Sequence, residues 1–128
     1  YQKKELSQYQ KEFRELVEIG LKKSRFGNQG MFVVSIPDYG ISDFAKKKDL
    51  KNVDKEVEAY NAIAKQIAKE YKIPFYNISP ISKTTAGDKK MYAEDELHPS
   101  KKQYQLWLDV FYEDVKKQIG TIEDIGDL

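Results

Sequence analysis

Apolar residues along this chain recur with two different periods, and their alternation outlines the fold. From about Leu6 to Lys23 the positions Phe13, Leu16, Val17 and Leu21 return at helical spacing with polar residues between them, which predicts an amphipathic helix. Arg25 to Gly30 contains Gly27, Asn28 and Gly30 and reads as a turn. Met31 to Ile36 is then an almost unbroken apolar run closed by Pro37, the pattern of a short strand buried on both faces of a parallel sheet. A polar, lysine-rich loop leads to a second helical stripe over about Val53 to Tyr71, made of Val57, Tyr60, Ala64, Ile67, Ala68 and Tyr71. Ile73 to Ile78 reads as a second strand, with Pro74 near its start, where the missing N–H does least harm. Ser79 to Pro99 is a long loop. A last helix is expected from Ser100 to about Ile119, with Tyr104, Trp107, Leu108, Phe111 and Val115 along one side.

The order is helix, strand, helix, strand, helix, which places the chain in the α/β class. A strand–helix–strand unit of this length implies a right-handed crossover between parallel strands. Two parallel strands that are apolar on both faces leave unpaired edges and cannot build an independent core. The expectation is therefore a three-layer α/β/α sandwich, to which this chain supplies two parallel strands and three helices while other strands come from elsewhere. Residues 1–119 form this domain portion, and 120–128 read as a loose acidic tail.

Composition narrows the possibilities. At 128 residues the chain is one domain's worth of polypeptide, and 40% hydrophobic residues suffice for a packed core. Lys and Arg number 22 against 21 Asp and Glu, so the basic excess of a nucleic-acid binder is missing, and no nucleic-acid partner is expected. The runs Lys46 to Lys48 and Lys89–Lys90 read as solvated loops. With no cysteine, disulfides, thiolate metal sites and cysteine nucleophiles are excluded. A single histidine among scattered carboxylates lacks the ligand cluster that zinc or iron needs, so neither metal nor cofactor is expected. No apolar run approaches the roughly 20 residues of a membrane span. The chain starts at Tyr1 rather than at a methionine, so its natural beginning is expected to lie upstream, and the compartment, cytoplasm or export, stays open.

Chemistry concentrates in Asp95-Glu96-Leu97-His98-Pro99-Ser100. His98 ends the loop that follows a strand, and in open α/β sheets sites are built at that carboxyl end. An acid three residues earlier can accept a bond from one imidazole nitrogen, orienting the ring and stabilising its protonated form, while the other nitrogen stays free to take a proton. Pro99 pushes His98 towards extended geometry. Ser100 is a good N-cap, and Gln103 three residues on completes a capping-box pattern. On spacing alone, the favoured reading is Asp95 as a loop cap beside an ordinary surface histidine, because D-x-x-H occurs often by chance.

Asp95-x-x-His98-Pro99 opening an amphipathic helix resembles the last conserved block of the SGNH (GDSL-type) hydrolases. Val33-Val34-Ser35-Ile36-Pro37-Asp38-Tyr39-Gly40 looks like the strand and turn that several bacterial members carry upstream of it. The resemblance implies a flavodoxin-like sandwich that hydrolyses acyl or acetyl esters of carbohydrates or lipids through a serine from an N-terminal G-D-S block. Carried over, His98 is the general base and then the acid, and Asp95 orients it. The G-D-S block, the middle-block glycine and the asparagine block are not in this chain, so the nucleophile is expected in a missing N-terminal part, on the same or a second polypeptide.

Among the local serines, Ser7, Ser24, Ser35, Ser42, Ser79, Ser82 and Ser100, none sits in a G-x-S-x-G or S-x-x-K setting. Only Ser79 and Ser82, just after the second strand, are placed to line a site. Asp38 is read chiefly as a turn former with Gly40, and the helical aromatics as core. The loop residues Tyr39 and Tyr92 are the aromatic candidates for touching a sugar or an acyl group. The alternative to an esterase is a non-catalytic flavodoxin-like binding or interaction module whose Asp/His pair is incidental.

Overall fold

In the computed structural model, which describes residues 5–126, the three long helices lie where the periodicity places them: α1 (Leu6–Lys23), α3 (Val53–Glu70) and α5 (Lys101–Gly126). Two further helices of five residues each, α2 (Asp43–Lys47) and α4 (Ser79–Lys83), occupy stretches expected to be loop. They are too short to show an apolar period, but each has a local cause. Ser42 caps α2 by accepting from the Ala45 N–H at 3.2 Å, and Pro80 in the first turn of α4 has its φ already set for a helix. α5 runs past Ile119 to Gly126, so the segment expected to be a loose tail is helical that far, and residues 127–128 lie outside the described residues.

The strands β1 (Val33–Val34) and β2 (Phe75–Tyr76) pair in parallel, Val33 opposite Phe75 and Val34 opposite Tyr76. They are shorter than the six-residue apolar runs suggest, because side chains take over the ladder. Val33 N–H and Ser35 N–H donate to the carbonyls of Pro74 and Tyr76, both at 2.9 Å. One residue on, Asn61 of α3 stands in for a strand: its Oδ1 accepts from Ile36 N–H at 2.7 Å and its Nδ2 donates to Ile36 O at 3.0 Å. Ser35 Oγ accepts from Ile78 N–H at 2.8 Å and donates to Asn77 Oδ1 at 3.1 Å.

Successive side chains of a strand point to opposite faces, so the sheet is covered on both. On one face Val33 and Phe75 pack against a core of Val17, Ile67, Ala68 and Ile73, with Phe13 and Leu21 added from α1. On the other, Phe32 and Tyr76 meet Phe111 of α5 with ring centroids 5.6 and 5.2 Å away. α1 is clamped along α3 by Arg14–Glu70 at 2.5 Å and by Tyr71 Oη donating to Glu18 at 2.6 Å. Three residues counted into apolar stripes stand out in solvent instead: Leu16 (63% exposed), Tyr104 (46%) and Leu108 (44%). α1 meets the core along the i, i+4 line Phe13–Val17–Leu21, which leaves Leu16 uncovered one position round the helix, and α5 meets the sheet through Phe111, which leaves Leu108 and Tyr104 exposed one and two turns earlier.

Candidate active site

The segment carrying Asp95 and His98 is stapled at its base. Tyr92 and Pro99 form an antiparallel bridge, Ala93 N–H donates to His98 O at 2.8 Å, and Ser100 N–H donates to Met91 O at 2.9 Å. The start of α5 grips the same segment. Ser100 Oγ caps the helix by accepting from Gln103 N–H at 3.3 Å and donates to Lys90 O at 2.6 Å. The buried Gln103 does not complete the expected capping box; its Nε2 donates to Met91 O at 2.6 Å, because the Ser100 N–H it would have served is already bonded to Met91 O.

Inside the loop, Asp95 organises the turn. Its Oδ1 accepts from the N–H groups of Leu97 at 3.0 Å and His98 at 2.9 Å, and its Oδ2 is hydrogen-bonded to His98 Nδ1. The chain reverses through Glu96 at φ +63°, left-handed backbone that an ordinary residue adopts only when the turn requires it. Glu96 in turn forms an ion pair with Lys47 of α2 at 2.5 Å, tying the loop to the segment that follows β1.

The bond from the His98 ring and then the two backbone N–H groups hold the Asp95 carboxyl down to about 2. It is therefore a carboxylate at neutral pH and can only accept. In the neutral imidazole this puts the proton on Nδ1 and the lone pair on Nε2, which has no hydrogen-bond partner among the described residues. The His98 side chain is 70% exposed, so Nε2 is open to whatever approaches. A ring with one nitrogen held by a carboxylate and a lone pair free on the other can take a proton from a hydroxyl and return it.

His98 faces a shallow groove of about 340 Å³ lined by Pro37, Tyr39, Leu97, His98 and Pro99. Two of these follow β1 directly, so the groove lies at the carboxyl end of the sheet, where Asp38 sets the turn by accepting from Gly40 N–H at 3.0 Å. Gly40 belongs there: a Cβ on it would stand 2.9 Å from Val53 Cβ. Tyr92, the other aromatic candidate, bonds Thr85 Oγ1 at 2.8 Å and does not line the groove.

No serine among the described residues comes within bonding reach of His98. Ser79 Oγ donates to Ile36 O at 3.0 Å, and Ser82 Oγ donates to Ser79 O at 2.8 Å while accepting from Asp38 N–H, so both hold the turn after β1 rather than line the groove. Ser24, Ser35, Ser42 and Ser100 are held in loops, the strand end and caps, and Ser7 lies on the exposed side of α1. Sequence reasoning missed the Lys47–Glu96 pair and the part of Leu97 and Pro37 in the groove. Nothing in the spacing connects residues 49 positions apart.

Residues 1–111 match the family model described as GDSL-like Lipase/Acylhydrolase. The chain belongs to that family. The match runs from the first helix through the Asp95/His98 loop and into α5, and it makes a hydrolase role the general expectation for this chain. No curated protein and no solved structure gives a significant match. Among the described residues no helix is long and apolar enough to cross a membrane, and no three His, Cys, Asp or Glu side chains group to hold a metal ion.

Proposed function

We propose that this chain supplies the acid–base pair of a serine esterase of the SGNH type, with the nucleophilic serine carried by a segment outside these 128 residues, on the same or a second polypeptide. The observation that carries the reading is the Asp95–His98 pair, with Nε2 open beside an apolar groove at the carboxyl end of a parallel sheet, in a chain of the acylhydrolase family. In this reading the fold is part of a flavodoxin-like three-layer sandwich, and further strands add to the open edge of the sheet. The substrate is a small acyl or acetyl ester.

The chemistry follows from the lone pair on Nε2. The serine hydroxyl gives its proton to Nε2 as its oxygen attacks the ester carbonyl, and Asp95 stabilises the imidazolium that results. When the tetrahedral intermediate collapses, the C–O bond to the alcohol breaks and the alcohol leaves with the Nε2 proton. Water then gives a proton to Nε2, attacks the acyl-serine and releases the acid, and the serine recovers its proton.

The competing reading is a non-catalytic flavodoxin-like binding module, and the engagement of the local serines elsewhere favours it for the isolated chain. Native mass spectrometry of the purified protein, with p-nitrophenyl acetate turnover on the same batch, separates the two. A second polypeptide or longer chain with turnover supports the esterase, and an inert 128-residue chain supports the module. In the complete enzyme, His98→Ala is expected to lower kcat/KM by about 10²- to 10⁴-fold, and full activity in that variant would remove the assignment.

A further inference from the structure

Resting on the esterase reading above, we propose that Gln103 and Thr85 are positioning residues for the Asp95–His98 pair: they clamp Met91 and Tyr92, the two adjacent residues from which the pair's hairpin springs. Packing does little to hold the pair itself. The His98 and Asp95 side chains are 70% and 48% exposed, and their hydrogen bonds run to each other and to the backbone of the same turn. The ring therefore stands where the hairpin of residues 91–100 puts it. A two-stranded hairpin is marginal in water by itself, so its place has to be set at its base.

Two buried side chains hold that base. Gln103 of α5 is 2% exposed, and its Nε2 donates to Met91 O at 2.6 Å; with Ser100 N–H at 2.9 Å, both lone pairs of that carbonyl are taken. Thr85, just past α4 and 1% exposed, shares a hydrogen bond with Tyr92 Oη at 2.8 Å and donates to Ser82 O at 2.6 Å. Ser82 Oγ accepts from Asp38 N–H at 3.0 Å, so this arm reaches the turn after β1. One arm thus anchors the hairpin to α5 and the other to the carboxyl end of the sheet. A third tether, Lys47–Glu96, grips the tip, but its side chains are 68% and 40% exposed, and a pair in water contributes little. Breaking a buried hydrogen bond costs more, because it strands a polar group without a partner. The base therefore outweighs the tip. An acid–base pair works only close to its productive geometry, and a displacement of about 1 Å can cost on the order of 10²-fold in rate.

Variants of nearly unchanged shape separate positioning from bulk stability. Gln103→Met and Thr85→Val delete the clamping hydrogen bonds, and Tyr92→Phe deletes the Thr85 bond from its other end. Gln105→Met, on the exposed side of the same helix, is the control. On the 128-residue chain, amide hydrogen exchange is read at Ala93 and His98 in the hairpin and at Ile67 in the core. Exchange at Ala93 and His98 should quicken roughly five- to tenfold in Gln103→Met and in Thr85→Val, with Ile67 unchanged and the control like wild type. On the enzyme complete with its serine, the same variants should lower kcat for p-nitrophenyl acetate about ten- to hundredfold with KM held within about twofold, because the ester still binds beside a displaced base. Thr85→Val and Tyr92→Phe combined should cost no more than either alone, since they remove one bond. These two carry the test should Gln103→Met fail to fold. Unchanged exchange in the hairpin, exchange quickened equally at Ile67, or a loosened hairpin with kcat intact would overturn the positioning role and leave the esterase standing. A hairpin loosened locally in a protein that hydrolyses no ester would uphold the clamp and overturn the esterase.

Discussion

Asp95 commits both carboxylate oxygens within a single turn, one to two backbone N–H groups and one to the His98 ring. That makes it a structural residue and a partner for the imidazole at once, and titration can separate the two. Its carboxyl is held down from 3.8 to about 2, so the native state prefers the ionised form. The sign follows: the stabilisation is complete above the unfolded value near 3.8 and is lost as pH falls through about 2. An NMR titration should place the Asp95 midpoint near 2 in the wild type and higher in His98→Ala. It should still lie below 3.8 there, because the two N–H bonds remain, and a midpoint that does not move would show that the ring is not the main cause. The pairing of Asp95 with His98 was legible because three-residue spacing across a turn is a local geometry. The engagement of Glu96 by Lys47 was not, because that contact depends on how α2 and the loop are brought together.

At the level of elements, the end of α3 shows what local sequence does and does not announce. Ile73 N–H donates to Ala68 O at 2.8 Å and Lys72 N–H to Lys69 O at 3.1 Å, closing the helix with Lys72 at φ +57°. This is the position where glycine is usual, since a Cβ in left-handed backbone costs energy. Lys72→Gly should therefore stabilise the protein by about 0.5–1 kcal/mol, read as a higher denaturation midpoint, and a destabilised variant would show that the strain is relieved elsewhere. Without a glycine there, the periodicity alone places the end at about Tyr71, one residue past the observed end at Glu70. The short strands teach the converse. Hydrophobic runs located both, but their ladders stop early because Asn61 and Ser35 side chains satisfy the backbone beyond Ser35, and such substitution of side chain for strand has no period to detect.

Across the whole molecule, stability rests on one side of the sheet more than on any single helix. Ile67 is 1% exposed within the cluster of Val17, Ala68 and Ile73, whereas Leu16 on the neighbouring helix is 63% exposed. Ile67→Ala should cost about 2–5 kcal/mol in denaturant unfolding and Leu16→Ala within about 0.5 kcal/mol, although the sequence pattern ranks the two alike. Equal costs would mean that Leu16 is covered in solution. Sequence by itself determined the order of the three long helices and two strands, the α/β class, the parallel pairing, the pairing of Asp95 with His98 and the family, because each depends on residue type at fixed local spacing or on motifs in sequence; the short helices α2 and α4 escaped it. Only the tertiary structure decided which apolar residues are covered, that Ser79 and Ser82 are locked into the turn after β1, and that Pro37 and Tyr39 meet Leu97 and Pro99 beside His98. Those contacts join segments roughly 40 to 60 residues apart, and a chain read in order carries no period that spans such a gap.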